Sequence, residues 1–204
     1  MRRYALLLLA MLLLLSACAP AGVPAAVQDQ ITDLSRTSET YPQDGIVLRI
    51  EYTRPAVGWD YIREHATHFI QAEVIGIGAC SLGADGYPQT EVFLRVDEVL
   101  IGEKKDIKSY ISIQRPCGTA GNIARGLASS DYYMAVGDKL CFFARAEKTY
   151  DDYTTLVIPY SCLYTPTDEG TYACMHLECN SLCTEDPQTL QQLKDAFAGP
   201  SDLQ

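Results

Sequence analysis

Histidine is scarce in this sequence: His65, His68 and His176 are the only three in 204 residues. A hydroxyl or thiol nucleophile needs a neighbouring base, so few places exist where one can be assembled. No G-x-S-x-G elbow, phosphate-binding glycine loop or H-E-x-x-H pair occurs. The chain is therefore read as non-enzymatic, with no catalytic residue and no cofactor. Basic runs are also missing after Arg3, and the formal net charge is -10. Phosphate backbones are bound by clustered Lys and Arg, so nucleic acid is not an expected partner. No apolar run reaches the roughly 18 to 20 residues that a membrane-spanning helix needs.

The apolar run that is present lies at the start. Arg2 and Arg3 precede the 12 residues Tyr4 to Leu15, and Leu15-Ser16-Ala17-Cys18 follows. Charge, short apolar stretch and small residues in that order form a secretory signal, which takes no part in the fold. The last four residues resemble the lipobox of bacterial lipoproteins, Leu-(Ala/Ser)-(Gly/Ala)-Cys, at every position. The resemblance implies that the Cys18 thiol receives a diacylglycerol and becomes the mature N-terminus. Two acyl chains anchor stably where one holds marginally. The expected location is the extracytoplasmic face of a bacterial cell membrane, lipid-anchored, with the membrane as one partner and an envelope or extracellular protein as another.

Removing residues 1–17 also removes Arg2 and Arg3, so the mature charge becomes -12. A hydrophobic fraction of 48 % with 13 tyrosines belongs to a folded chain with a core. Seven cysteines remain after lipidation: Cys80, Cys117, Cys141, Cys162, Cys174, Cys179 and Cys183. Thiols outside the cytoplasm tend to oxidise, so all seven are disulfide candidates. An odd count leaves one over, and the pairing stays open. Cys80 with Cys117, and Cys141 with Cys162, are the pairs that strand positions favour.

Residues 18–43 are small, polar and proline-containing, the composition of a tether, with a short helix over Ala26 to Leu34 as an option. In residues 45–53, Ile46, Leu48, Ile50 and Tyr52 alternate as in a half-buried strand. Trp59, Ile62, Ala66, Phe69 and Ile70 recur at helical spacing, which also sets His65 and His68 on one helix face at metal-ligand spacing. "FIQAEVIGIGACSLG" reads as a buried strand, with Gly76 and Gly78 allowing close approach. In "TEVFLRVDEVLIG", Val92, Leu94 and Val96 share a face and Val99 slips by one, which predicts a bulge at Asp97-Glu98. Ile107, Ile111 and Ile113 mark another strand face. "GDKLCFFARAE" and "YTTLVIPYS" predict a hairpin, and Leu190, Leu193, Ala196 and Phe197 a closing helix.

These segments predict a mainly β fold: a small closed or partly open barrel of five to six strands with one packed helix and a C-terminal helix. The expected organisation is signal 1–17, tether 18–43, barrel 44–165, and a cysteine-rich loop with the last helix over 166–204. Ala72, Val74 and Gly76, then residues 90–102, Cys117-Gly118 and residues 137–143, resemble the phrasing of NTR-like domains. Those are OB-fold barrels found in tissue inhibitors of metalloproteases and in bacterial secreted proteins. The inhibitors chelate a protease zinc through an N-terminal cysteine. A lipidated Cys18, about 27 residues before the first strand, does not reach a protease cleft, so that mechanism is not carried over.

Two segments carry candidate sites. Residues 116–134 read as the longest loop, in which Asn122, Arg125, Tyr132 and Tyr133 are candidate ligand contacts, the alternative being plain surface. Cys174, His176, Cys179 and Cys183 lie within ten residues and suit either a disulfide-stapled loop or a zinc site. The expected role is an anchored binding module. The alternatives are a metal-handling lipoprotein using that cluster and an extracytoplasmic enzyme with an unrecognised site.

Overall fold

A computed structural model describes residues 23–32, 46–48, 58–126, 134–148, 153–157, 163–175, 184 and 186–199. The signal and lipobox, Cys162, and the His176, Cys179 and Cys183 part of the cysteine cluster lie outside them. The chain divides into a short unit, 1–30, and a main unit, 31–204. In the first, α1 is a single turn, Ala25–Gln28, following Pro24. The longer helix over Ala26 to Leu34 is not formed.

The main unit is built on β2 (His68–Leu82) and β3 (Pro88–Ile101), a long antiparallel hairpin. β4 (Tyr110–Arg115) lies beyond β3, and β7 (Lys139–Lys148) pairs with the other edge of β2. The second edge of β7 is shared by β8 (Tyr153–Val157) and β9 (Leu163–Pro166). β10 (Thr171–Cys174) and the two-residue β11 (Gln188–Thr189) continue the sheet. A second, three-stranded sheet holds β1 (Ile46–Leu48), β5 (Gly118–Ala120) and β6 (Ile123–Arg125), with β1 parallel to β6. The fold is thus mainly β, and among the described residues the large sheet is not closed. β4 and β8 nevertheless carry Cα atoms within 8 Å of each other without a ladder between them.

Coiling of the hairpin comes from four register shifts between β2 and β3. One lies where Gln71 pairs with Glu98 and Ala72 with Val96, leaving Asp97 as the extra residue. That is the predicted bulge, and it keeps Val99 on the same side as Val92, Leu94 and Val96. Those residues join Ile70, Val74, Ile77, Ile107, Ile111, Ile113, Leu140 and Phe142 in one core inside the curl of the sheet. Gly76 is the predicted close approach. A Cβ there would lie 2.5 Å from the Ile31 side chain, and beside it Thr32 donates its N–H to the Ile77 carbonyl at 2.7 Å.

The opposite face carries a second core under α2 (Trp59–His65) and α3 (Leu190–Ala198). Ile62 and Leu193 bury there on Phe69, Phe143, Tyr164 and Tyr172. The helical stripe extended to Ile70 is corrected. The helix stops at His65, and Phe69 and Ile70 lie in β2 on opposite faces, one in each core. Adjacent apolar residues at a helix end mimic helical spacing, whereas in a strand they serve two cores. The 116–134 segment is likewise not a plain loop, because β5 and β6 lie within it.

α3 starts with a capping box. The Thr189 hydroxyl accepts the Gln192 N–H at 3.2 Å, and the Gln192 side chain accepts the Thr189 N–H at 2.7 Å. Thr189→Ala removes one acceptor and is expected to cost about 1 kcal/mol of stability in urea unfolding, with Thr189→Ser close to neutral.

Candidate functional site

The β2–β3 hairpin ends in a turn over Gly83 to Tyr87 that protrudes beyond the paired residues Leu82 and Pro88. The turn is closed by the Gly83 N–H on the Tyr87 carbonyl at 2.8 Å and the Gly86 N–H on the Gly83 carbonyl at 2.9 Å. One Asp85 oxygen accepts the Tyr87 N–H at 3.0 Å, and the other faces Arg125 Nη1 at 3.4 Å. The Arg125 guanidinium also sits 5.6 Å from the Tyr87 ring centroid, a cation–π distance. Arg125 reaches the turn from β6, so the small sheet braces the tip of the large one. Leu82 and Tyr87, 54 % and 37 % exposed, are the apolar side chains this tip presents.

Arg125 was expected to offer its charge to a ligand from a loop. Instead it is 2 % exposed, with its guanidinium committed to Asp85 and Tyr87. It therefore positions the tip. Asn122 is exposed in the turn between β5 and β6. Tyr132 and Tyr133 lie outside the described residues. Sequence pattern does not single out the tip, because "GADGYPQ" is an ordinary run of turn-forming residues. The signal that finds it is the tyrosine beside Asp-Gly, which gives an arginine a face to stack on.

Below the tip, Cys80 faces Thr90 across the hairpin, and Thr90 faces Arg115 on β4. The Thr90 hydroxyl donates to the Cys117 carbonyl at 2.6 Å, and the Cys80 thiol points at the same oxygen at 3.7 Å. Burial pushes the Cys80 thiol above the ordinary cysteine value, and bonds with Thr90 and Gln89 oppose that shift. Cys80, Cys117 and Cys141 all carry reduced sulfurs, so neither favoured bridge involving them is formed here. Cys141 is fully buried on the helix-facing side, and burial pushes its thiol far up, which makes it inert.

A charged row crosses the open part of the same face. In register, Lys139 of β7 faces Glu73 of β2, and Glu73 faces Arg95 of β3. Arg95 donates to Glu73 at 2.6 Å and to Asp97 at 3.2 Å, and Lys139 lies 3.7 Å from Asp97. The hydrogen bond to Asp97 and the charge of Glu73 raise the Arg95 value. The bulge turns Asp97 into this row, where its Oδ1 accepts from Arg95 and its Oδ2 makes no hydrogen bond and faces the Lys139 ammonium at ion-pair distance.

His65 and His68 do not share a helix face, since His68 opens β2 and is buried. Its Nδ1 meets Thr67 Oγ1 at 2.7 Å and its Nε2 meets the Glu103 carbonyl at 3.2 Å, so both ring nitrogens are used. Cys174 is disulfide-bonded, which takes its sulfur out of any thiolate ligand set. Among the described residues no group of three or more potential ligands is positioned to hold a metal, and no helix is long and apolar enough to cross a membrane. No known family, curated protein or solved structure matches this chain.

Proposed function

We propose that this chain is a bacterial lipoprotein held at the extracytoplasmic face of a membrane by a diacylglycerol on Cys18, and that its β scaffold is a binding module rather than an enzyme. The observation that carries the reading is the ordered run of Arg2-Arg3, the apolar stretch Tyr4 to Leu15, and the lipobox Leu15-Ser16-Ala17-Cys18. The finer fold assignment is a partly open OB-like barrel of the NTR type. It is supported by the heavily bulged β2–β3 hairpin, the approach of β4 to β8, and the packing of α2 and α3 on one outer face. The module's contact surface is the hairpin tip, where Leu82 and Tyr87 stand exposed on a turn braced by Arg125. A protein partner suits such a surface, because a tyrosine and an aliphatic residue held rigidly lose little entropy on binding.

The anchoring half is tested by feeding producing cells an alkyne-tagged fatty acid and following the label and the membrane fraction. The native chain is expected to carry the label on a peptide beginning at Cys18 and to sediment with membranes. Cys18→Ala is expected to lose the label entirely. An unlabelled native chain, or a labelled Cys18→Ala chain, overturns the reading.

A further inference from the structure

We infer that Cys80 and Cys117 are a redox-convertible pair, a dithiol that closes to a disulfide and pins the base of the hairpin tip to the small sheet. The pair is 37 positions apart in sequence but adjacent in space. The chain leaves β4 at Arg115, whose carbonyl accepts the Cys117 N–H at 2.8 Å. That turn lays the Cys117–Gly118 peptide over β2. The Cys80 sulfur then sits 3.7 Å from the Cys117 carbonyl oxygen, and a Cβ built on Gly118 would be 2.7 Å from it. These contacts put the Cys80 sulfur against the backbone of Cys117, so the two residues are spatial neighbours. Thr90 holds the arrangement by donating to the same carbonyl at 2.6 Å.

Exposure divides the roles. Cys80 is partly exposed and meets an oxidant first, while Cys117 is fully buried beside it. Cys141 does not compete. It lies in register with Gln71, at the other end of β2, its sulfur 3.9 Å from the Gln71 side-chain oxygen. Of the described cysteines without a disulfide, Cys80 and Cys117 are neighbours and Cys141 stands apart from them.

The oxidant is a small-molecule or protein disulfide, with glutathione disulfide as the probe. The Cys80 thiolate attacks one glutathione sulfur, breaking the S–S bond and releasing one glutathione. The Cys117 thiolate then attacks the Cys80 sulfur of the mixed disulfide, forming the Cys80–Cys117 bond and releasing the second glutathione. The two cysteine protons end on the two released thiols. Two protein thiols are oxidised and one glutathione disulfide is reduced.

The reaction does not depend on where the protein resides, so its test is separate from that of anchoring. The full chain, purified in detergent, is incubated with glutathione disulfide or with dithiothreitol, alkylated and mapped by mass spectrometry. The expected result after oxidation is a linked peptide containing Cys80 and Cys117, lighter by two hydrogens than the dithiol, with neither residue alkylated. Cys141 is expected to be alkylated only after denaturation in both samples. Closure is expected to speed up about tenfold per pH unit while Cys80 stays mostly protonated. In Cys117→Ala, Cys80 is expected to stop as the glutathione adduct. Should that variant fail to fold, the wild-type map decides alone. The proposal fails if both residues still alkylate after oxidation, if wild-type Cys80 retains glutathione, or if either links to a different cysteine.

Discussion

Truncating Phe143 to alanine is expected to cost about 3–5 kcal/mol of folding stability, the usual range for a fully buried aromatic. Phe143 is completely buried in β7 and is the hub of the helix-facing core. Its ring lies 4.6 Å from Phe69, 5.6 Å from Trp59, 5.7 Å from Phe197 and 6.3 Å from Tyr164, measured between centroids. Those partners come from β2, α2, α3 and β9, so one cavity loosens four elements at once. Domains of this kind have about 5–15 kcal/mol in hand, so this variant comes close to unfolding. Trp59 is the only tryptophan in the chain and meets Phe143 edge to face, which makes its fluorescence a direct reporter. Urea unfolding followed by that signal is expected to show the midpoint falling sharply. Phe197→Ala, at a partly buried site, is expected to cost clearly less. Equal costs at the two positions, or a Phe143→Ala cost under about 1 kcal/mol, would mean that the helices are not packed through this residue.

The sequence disclosed the interior core better than the helix-facing one, and the reason is geometric. Val92, Leu94, Val96 and Val99, with Ile111 and Ile113, alternate along single strands, so a period of two reveals them, and the slip at Asp97 reveals the bulge. The helix-facing core draws Phe69, Cys141, Phe143, Tyr164 and Tyr172 from four strands. In β2 and β7 those residues alternate with others that serve the interior core, so both faces are apolar and no period stands out. β9, β10 and β11 are two to four residues long, too short for any periodicity to register. The site was hidden for a different reason. Arg125 and Asp85 are 40 positions apart, and only the pairing of β6 with β5, beside the hairpin, makes them neighbours. A lone arginine between turns gives no sign that its charge is already matched. Cys80 and Cys117 were legible as neighbours because one lies near the end of β2 and the other just after β4, but no bridge between them is formed.

Replacing Gly102 with alanine is the second large effect, expected at about 2–4 kcal/mol, and it arises from two costs that can be separated. The backbone at Gly102 has φ of +96°, a conformation L residues rarely adopt and that strains alanine by about 1–2 kcal/mol. The new Cβ would also collide with the His68 ring, lying 2.8 Å from Cγ and Nε2. That ring has nowhere to go. The Ala146 N–H donates to Thr67 Oγ1 at 3.1 Å, which directs the threonine hydroxyl to His68 Nδ1 and leaves Nε2–H to the Glu103 carbonyl. Moving the ring breaks this chain in a buried place, where an unmade hydrogen bond costs about 1–3 kcal/mol. A double-mutant cycle divides the two. In a His68→Ala background the collision disappears, and Gly102→Ala is expected to cost only the backbone part, about 1–2 kcal/mol. The coupling, measured by urea unfolding, is then about 1–2 kcal/mol in the direction that the double variant loses less than the sum. Strict additivity would show that the ring yields freely and that His68 is not locked between Thr67 and Glu103.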